Sequence, residues 1–245
     1  MDWFFEIHRD NLQEGPGDAS STERALAVIT GLPREPRILD AGCGPGRQTL
    51  QLCRLLPGTV TAVDNHPPYL EALGHKVKKA GLDGRVRLLE ADMAALPFEP
   101  GSFDLIWSEG AIYNIGFRQG LELWRPLLKP GGWIAVTDLT LLRDNLPEEP
   151  ATFWNEEYPA AQKVEDNLAD LESAGFSAKG NFTLPESAWW DYYRPIEDKL
   201  AILERQHAAC REAMEVLAAE RKEIDLYRRY SDYYGYQFYI GRRAF

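Results

Sequence analysis

The sequence has few of the residues that build disulfide frameworks and metal sites. Its 245 residues include three cysteines and four histidines. The cysteines form no C-x-x-C pair, and the histidines follow neither an H-x-x-x-H nor an H-E-x-x-H pattern. Neither a disulfide scaffold nor a metal site is therefore predicted. No apolar run approaches the roughly 20 residues that a membrane-spanning helix needs. The N-terminus also lacks the basic flank and apolar run of a signal peptide.

Basic residues are the minority among the charged ones. The 27 lysines and arginines face 38 aspartates and glutamates, which gives a net charge of -11. Because phosphate binding needs a basic surface, this balance predicts neither a nucleic-acid partner nor an anionic membrane partner. Hydrophobic residues make up 44% of the chain, which is enough to bury a core. These features together predict a soluble cytoplasmic protein of one domain, spanning residues 1–245.

One glycine-rich stretch follows the first predicted strand. The segment Ile38–Asp40 ends a short apolar run, and a tight turn containing Gly42, Gly44 and Gly46 comes next. A helix over 47–56 follows. Glycine permits backbone dihedrals that a Cβ atom forbids, and it lets a ligand approach the backbone closely. The free N–H groups at the helix start would point at that ligand.

The spacing of Asp40 and the three glycines resembles the first motif of the class I S-adenosylmethionine (SAM)-dependent methyltransferases, E/D-x-G-x-G-x-G. A dinucleotide fingerprint, G-x-G-x-x-G, would need a glycine where the chain has Arg47, and it has no need of the acid. The resemblance implies that Gly42, Gly44 and Gly46 hold SAM. It also implies that Asp40 binds the ammonium group of SAM directly or through water.

The second predicted strand ends in another acid. The apolar, β-branched run over 59–64 indicates a buried parallel strand that ends at Asp64, with Asn65 next. A carboxylate in this place can accept hydrogen bonds from both hydroxyls of a ribose. The alternative is that Asp64 caps the helix that begins near Pro67. On the first interpretation Asp64 and Asn65 bind the cofactor.

The resemblance continues along the next two predicted strands and covers residues 36–140 closely. In that family an acid after the third strand binds the adenine amino group and the next residue packs on the ring, which implies these roles for Asp92 and Met93. Lys129-Pro130-Gly131-Gly132 matches the turn that precedes the family's fifth strand. The wider match is to a bacterial subgroup related to the methyltransferase type 11 families, and it implies no particular substrate.

The fourth predicted strand supplies the candidates for chemistry. It ends at Ser108 and is followed by Glu109, Tyr113 and Asn114. Ligands of open α/β sheets bind outside the carboxyl ends of the strands. We therefore expect Ser108 and Glu109 beside the cofactor, and Tyr113 and Asn114 beside the methyl acceptor. Glu109 is the first candidate for a general base and Tyr113 the second, although either could instead bind SAM or position the substrate.

About 50 residues, 185–235, separate the last two predicted strands, which the family normally joins by a short loop. This insertion opens with an aromatic cluster from which we expect substrate contacts by Trp189, Trp190 and Tyr193, although such a cluster is more often core. An apolar stripe at helical spacing follows, and a single helix would be too long, so we expect a break near His207. The insertion is predicted to be a helical lid, with a dimerisation arm as the alternative.

The predicted fold is therefore a Rossmann-like α/β domain. Its seven-stranded, mostly parallel sheet has helices on both faces and a helical insertion before the last strand. Within it, residues 1–31 form N-terminal helices and a flap, and residues 36–184 and 236–245 form the SAM-binding core. The predicted function is SAM-dependent methyl transfer to a small molecule, with S-adenosylhomocysteine as product. The alternatives are a non-catalytic SAM-binding sensor or partner subunit, and then a dehydrogenase. The acceptor, the methylated atom and a homodimeric state are left open.

Overall fold

A mixed β-sheet forms the centre of the molecule. The computed structural model describes residues 3–244. Its strands are β1 (Arg37–Ala41), β2 (Thr59–Asp64), β3 (Val86–Glu90), β4 (Phe103–Ser108), β5 (Leu128–Leu141), β6 (Gln162–Lys163), β7 (Phe176–Thr183) and β8 (Tyr234–Arg243). The order across the sheet is β3-β2-β1-β4-β5-β8-β7, with the two-residue β6 paired to β5. Strands β1 to β5 run parallel, whereas β8 is antiparallel to both β5 and β7. The prediction of a mostly parallel Rossmann-like sheet is confirmed.

Helices cover both faces of this sheet. They are α1 (Trp3–His8), α2 (Ala19–Val28), α3 (Arg47–Leu55), α4 (Pro67–Lys79), α5 (Phe117–Trp124), α6 (Glu148–Glu157), α7 (Val164–Ser173), α8 (Glu186–Gln206) and α9 (Arg211–Tyr230). Short 3-10 turns occupy Ile112–Ile115 and Arg125–Leu127. Along the part of the chain that the structure describes, no helix is both long enough and apolar enough to cross a membrane.

Successive residues of the central strands belong to two different hydrophobic cores, one on each face of the sheet. Ile38 of β1 and Leu105 of β4 pack with residues of α2, α3, α4, α8 and α9. Leu39 and Ile106, one position along, pack with residues of α5 and α7 on the other face. Side chains of a strand point alternately to opposite faces, so a strand buried on both sides is apolar throughout. This burial is why the strands were visible in the sequence as apolar runs.

The structure adds detail at α2 and α6 and corrects the prediction at β5. Helix α2 is capped by Asp18, whose carboxylate accepts a hydrogen bond from the Ser21 N–H. The segment 129–132 is the first part of β5 and not a turn before it, because the strand continues through an irregularity in its pairing with β4. The acids at 148, 149, 156 and 157 lie at exposed positions of α6.

The insertion before β8 is a pair of helices, as predicted. Helix α8 ends at Gln206 and α9 begins at Arg211, so the break falls at the expected place. Both helices pack against α1, and the Trp3 ring meets the His207 ring edge-on at 4.6 Å. Near the start of α8, the Trp189 ring stacks on Tyr227 of α9 with 4.1 Å between centroids. The pair is thus fixed to the rest of the chain by buried aromatic contacts.

Candidate active site

The glycine turn after β1 adopts the left-handed conformation that its sequence requires. Gly42, Gly44 and Gly46 have φ angles of 73°, 51° and 88°. A Cβ atom on Gly42 would lie 2.3 Å from the Cβ of Ala111, and one on Gly46 would lie 2.2 Å from a methyl group of Leu73. At Gly44 the nearest atom would be 3.8 Å away, so this position has open space in front of it.

A cavity of about 480 Å³ lies in front of this turn, at the carboxyl ends of β1, β2 and β4 and beyond the end of β3. We call it the strand-end cavity. Most of the residues predicted to bind the cofactor or to act on the acceptor line it, namely Gly42, Gly44, Asp64, Asn65, Asp92, Met93, Glu109, Tyr113 and Asn114. They meet because the carboxyl ends of parallel strands share one edge of the sheet.

Three residues predicted to contact the cofactor lie outside this cavity. Asp40 is 1% exposed, accepts a hydrogen bond from the Thr49 hydroxyl at 2.5 Å, and has its pKa raised to about 7 by burial. Ser108 is fully buried and donates to the Ala41 carbonyl at 2.8 Å. Gly46 faces α4. These residues hold the turn and the strands in place from behind, since successive strand residues face opposite sides.

Asp64 fixes the shape of the glycine turn. Its Oδ2 accepts a hydrogen bond from the Gly44 N–H at 2.8 Å, and its Oδ1 accepts one from the His66 N–H at 2.9 Å. The first of these bonds joins the ends of β1 and β2, and neither the ribose role nor the helix-cap role had suggested it. Each carboxylate oxygen keeps a further acceptor site, so Asp64 can bind hydroxyl groups in the cavity as well.

Glu109 is a buried carboxyl group in the wall of the strand-end cavity. Its Oε1 accepts hydrogen bonds from Trp107 Nε1 at 2.8 Å and from the Thr22 hydroxyl at 2.9 Å. Its Oε2 is buried, with no hydrogen-bond partner in the described part of the chain. Burial raises the pKa of Glu109 to about 7, although the bonds from Trp107 and Thr22 act in the opposite direction. A donor or a cation in the cavity would satisfy the second oxygen.

A second cavity, of about 600 Å³, lies beneath α8 and α9. We call it the aromatic cavity, after the rings that line it from five parts of the chain: Phe4, Tyr113, Trp154, Tyr158, Trp189, Tyr192 and Tyr236. Phe4, Glu14, Gly15 and Tyr113 line both cavities, so the two share a wall. The structure therefore places two adjacent chambers at the carboxyl edge of the sheet.

Of the three substrate residues predicted in the insertion, one lies in the wall of the aromatic cavity and two do not. Trp189 lines it, whereas Trp190 and Tyr193 do not. The Trp190 indole donates to Glu186 on α8, and its ring lies under the Arg228 guanidinium at 5.1 Å. Tyr193 is 1% exposed and donates its hydroxyl to Glu223 at 2.8 Å. Trp190 thus lies outside the cavity and Tyr193 behind its wall, because consecutive helical residues point in different directions.

His8, Glu14 and Glu220 are among the residues of the site that the reasoning from sequence missed. His8 Nδ1 lies 2.5 Å from Glu14 Oε2, and His8 Nε2 lies 3.7 Å from Glu220. Burial alone would lower the pKa of His8, but hydrogen bonds and charge from the two carboxylates outweigh it and raise the pKa to about 9. Glu14 was detectable only as the neighbour of the Gly15-Pro16-Gly17 loop, for which a flap was one interpretation.

Comparisons with known proteins agree with this geometry. Residues 38–132 match a family model described as a methyltransferase domain. The 27-O-demethylrifamycin SV methyltransferase of Amycolatopsis mediterranei is 26% identical, over 91% of this chain and 85% of its own length. Fungal sterol 24-C-methyltransferases also match, but the chain spans only 32–59% of the length of five of them.

Solved structures share the fold over nearly the whole chain. That of SpnF, described as a 4+2 cyclase, has a TM-score of 0.78 at 19% identity and covers 99% of this chain and 92% of its own. Phosphoethanolamine N-methyltransferase 2 of Haemonchus contortus, in complex with SAM, has a TM-score of 0.73 at 20% identity and covers 99% of this chain and 56% of its own. These two proteins carry different activities, so the fold alone does not select the reaction.

Proposed function

We propose that this chain is a class I SAM-dependent methyltransferase and that it transfers the SAM methyl group to a small-molecule acceptor, leaving S-adenosylhomocysteine. One observation carries the proposal: the strand-end cavity and the aromatic cavity share a wall that includes Glu14, Gly15 and Tyr113. Methyl transfer needs a cofactor and an acceptor that meet at one point. We place the reaction in the cytoplasm, and the free thiols of Cys43, Cys53 and Cys210 support this location.

The side chains of the strand-end cavity fit SAM. Asp64 would accept the ribose hydroxyls, and Asp92 and Met93 would hold the adenine. Gly42 and Gly44 allow a ligand close to the backbone, since neither carries a side chain into the cavity. The unpartnered Oε2 of Glu109 offers an acceptor for the ammonium group of the methionine end. This gives Glu109 a binding role in preference to the base role first considered for it.

Bound SAM supplies an electrophilic sulfonium methyl group, so the protein mainly has to orient the acceptor and exclude water. Tyr113 lies in both cavities, and burial raises the pKa of its hydroxyl, which therefore stays protonated and acts as a hydrogen-bond donor. We propose that Tyr113 positions the acceptor. Asn114 supports it from the same 3-10 turn, where its amide donates to the Ala111 carbonyl at 3.0 Å.

We propose that α8 and α9 act as the lid of the acceptor pocket. Trp189 and Tyr192 of α8 line the aromatic cavity on one side, and Glu220 and Glu223 of α9 line it on another. The large rings of the insertion pack mostly within the chain, which favours a lid over a dimerisation arm. A homodimer contact would have to use an outer face, such as the one that carries Trp190.

Two measurements test this function. Calorimetry should show SAM and S-adenosylhomocysteine binding to the folded protein, with no binding of NAD. Incubation with methyl-labelled SAM and metabolite extracts should then place the label on one or a few small molecules, which mass spectrometry can identify. Tight SAM binding with no labelled product from any extract would favour the non-catalytic sensor or partner subunit instead.

A further inference from the structure

We propose that the methyl acceptor is a small amine, which enters the aromatic cavity as a cation and is methylated on its nitrogen. This inference rests on the proposed function and names its substrate class. The likeness to phosphoethanolamine N-methyltransferase 2, at 20% identity, shows the fold alone and does not carry this inference. The charge, the rings and the unpartnered atoms of the aromatic cavity point to an amine.

Acidic side chains dominate the charge of this cavity. Five carboxyl groups line it: Glu14, Glu157, Glu215, Glu220 and Glu223. No lysine or arginine is among the described residues that line it. The nearby His8 compensates part of this charge through its contacts with Glu14 and Glu220. A carboxylate or phosphate acceptor would thus find no cationic partner here, whereas an ammonium group would find several.

Aromatic faces surround the same space. Seven rings line the cavity, and two of them, Tyr113 and Tyr158, stand edge-to-face with 5.8 Å between centroids. Ring faces attract organic cations, and tryptophan does so most strongly. Trp189 uses one face to stack on Tyr227, which fixes its orientation. Rings and carboxylates in one cavity therefore favour a cation that also carries an apolar body.

Unpartnered polar atoms give evidence of a ligand that is independent of the acidic cluster. Trp189 is 1% exposed and lines the cavity, yet its Nε1 has no hydrogen-bond partner within residues 3–244. Glu14 Oε1 is also buried without a partner there. A buried polar group without a partner destabilises the ligand-free protein. An amine that bonds to Glu14 and carries an oxygen acceptor for Trp189 would satisfy both atoms.

The position of Glu14 selects nitrogen as the methylated atom. Glu14 and Tyr113 line both cavities, so a group held by Glu14 Oε1 lies at the boundary with the cofactor. After the ammonium gives one proton to the Glu14 carboxylate, the nitrogen lone pair forms the new N–C bond. The S–C bond of SAM breaks as this bond forms, and both of its electrons stay on sulfur. A proton lost from the methylated nitrogen passes to solvent.

The test uses the full chain saturated with S-adenosylhomocysteine, and calorimetry measures binding of matched probes. Three amines of increasing size (benzylamine, 2-phenylethylamine and tryptamine) are each compared with an alcohol and a carboxylic acid of the same shape. We expect the best amine to bind at least about tenfold more tightly than its alcohol, as a charge-assisted hydrogen bond predicts. With methyl-labelled SAM, that amine should yield an N-methyl product.

The double variant Glu220→Gln/Glu223→Gln should reduce this preference by about tenfold while S-adenosylhomocysteine binds as before. Glu220→Asp/Glu223→Asp, which keeps both charges, should restore it. Glu212→Gln, on the exposed side of α9, removes one charge outside the cavity and should change nothing. No preference for any amine, or label found on oxygen or carbon, would overturn the inference. Failure to bind S-adenosylhomocysteine in the first place would instead refute the proposed function, and the inference with it.

Discussion

The two cavities differ in how the chain builds them. The strand-end cavity is lined mainly by residues 42–115, which follow one another at the ends of successive strands. The aromatic cavity takes its walls from the loop at 14–16, from β5, α6, α8 and α9, and from β8. The first depends on backbone conformation and a few acids, and the second on large side chains packed between distant segments. We therefore expect them to respond differently to substitution.

The largest effect is expected at Trp189, whose buried ring packs between α8 and α9 in the wall of the aromatic cavity. Trp189→Ala removes a buried ring that stacks on Tyr227, and we expect a loss of about 3–5 kcal/mol in the free energy of unfolding. Chemical denaturation measures it. Trp190→Ala is the matched control, since this neighbouring ring lies outside the cavity and should cost far less. Equal losses at the two positions would contradict the packing described for α8.

The next largest effect should be on cofactor affinity at the strand-end cavity. Gly44→Val places a side chain in the open space in front of the glycine turn, and we expect at least a hundredfold loss in S-adenosylhomocysteine affinity, or about 2.7 kcal/mol. Gly31→Val is the control for backbone strain, because Gly31 has a φ of 72° with no atom within 4 Å of its Cβ position. If calorimetry finds both variants equally impaired, the strand-end cavity is not the cofactor site.

Asp64→Ala should weaken cofactor binding less than Gly44→Val. It removes an acceptor for the ribose hydroxyls, worth about 1.5–3 kcal/mol, together with the hydrogen bond from the Gly44 N–H. Calorimetry should show a loss of roughly tenfold or more in S-adenosylhomocysteine affinity. Unchanged affinity in a normally folded Asp64→Ala protein would limit Asp64 to its structural bonds with the turn and with His66.

Each cavity is lined by a carboxyl group with a raised pKa, and this predicts that the stability of the fold depends on pH. Burial raises the pKa of Glu109 and of Glu223 to about 7 from an ordinary value of 4.5. The folded protein therefore holds these protons more tightly than the unfolded chain does. The resulting stability is present below pH 4.5 and is lost as the pH rises through about 7.

Glu109→Gln tests this dependence on the ligand-free protein. It removes the cost of ionising a buried carboxyl, so its melting temperature should rise relative to wild type by a few degrees more at pH 8 than at pH 5. Glu223→Gln should behave in the same way. Glu212→Gln serves as the exposed control, with a difference that stays constant over this range. A constant difference for Glu109→Gln as well would refute the effect of burial on its pKa.

The smallest effect is expected at the ion pair between α3, which follows the glycine turn, and α8, which lines the aromatic cavity. Arg47, at the start of α3, binds Gln13 and the Gly17 carbonyl of the N-terminal loop and reaches Asp191 of α8 at 3.2 Å. Asp191 is about half exposed, so Asp191→Asn should cost no more than about 1 kcal/mol in denaturation. A larger loss in the free energy of unfolding would mean that the ion pair holds α3 and α8 together more strongly than its exposure indicates.

The local sequence was sufficient to predict most of the strand-end cavity. Gly42 and Gly44 follow an apolar strand, and Asp64 and Asp92 come after the next two. In a parallel sheet their positions along the chain already place them at one edge. Pattern alone could not show on which side of the edge each residue lies. Asp40 and Ser108 therefore proved to be buried behind the turn, although they neighbour residues that line the cavity.

The existence and the lining of the aromatic cavity could be seen only in the tertiary structure. The insertion, its two helices and the break between them follow from helical periodicity, whereas the direction of each ring depends on how α8 packs against α1 and α9. That packing turned Trp189 into the cavity and left Trp190 outside it. It also brought Glu14, Glu220 and Glu223 together from segments about 200 residues apart in sequence. Periodicity fixes the spacing of side chains along one helix, but contacts between distant segments form only when the whole chain has folded.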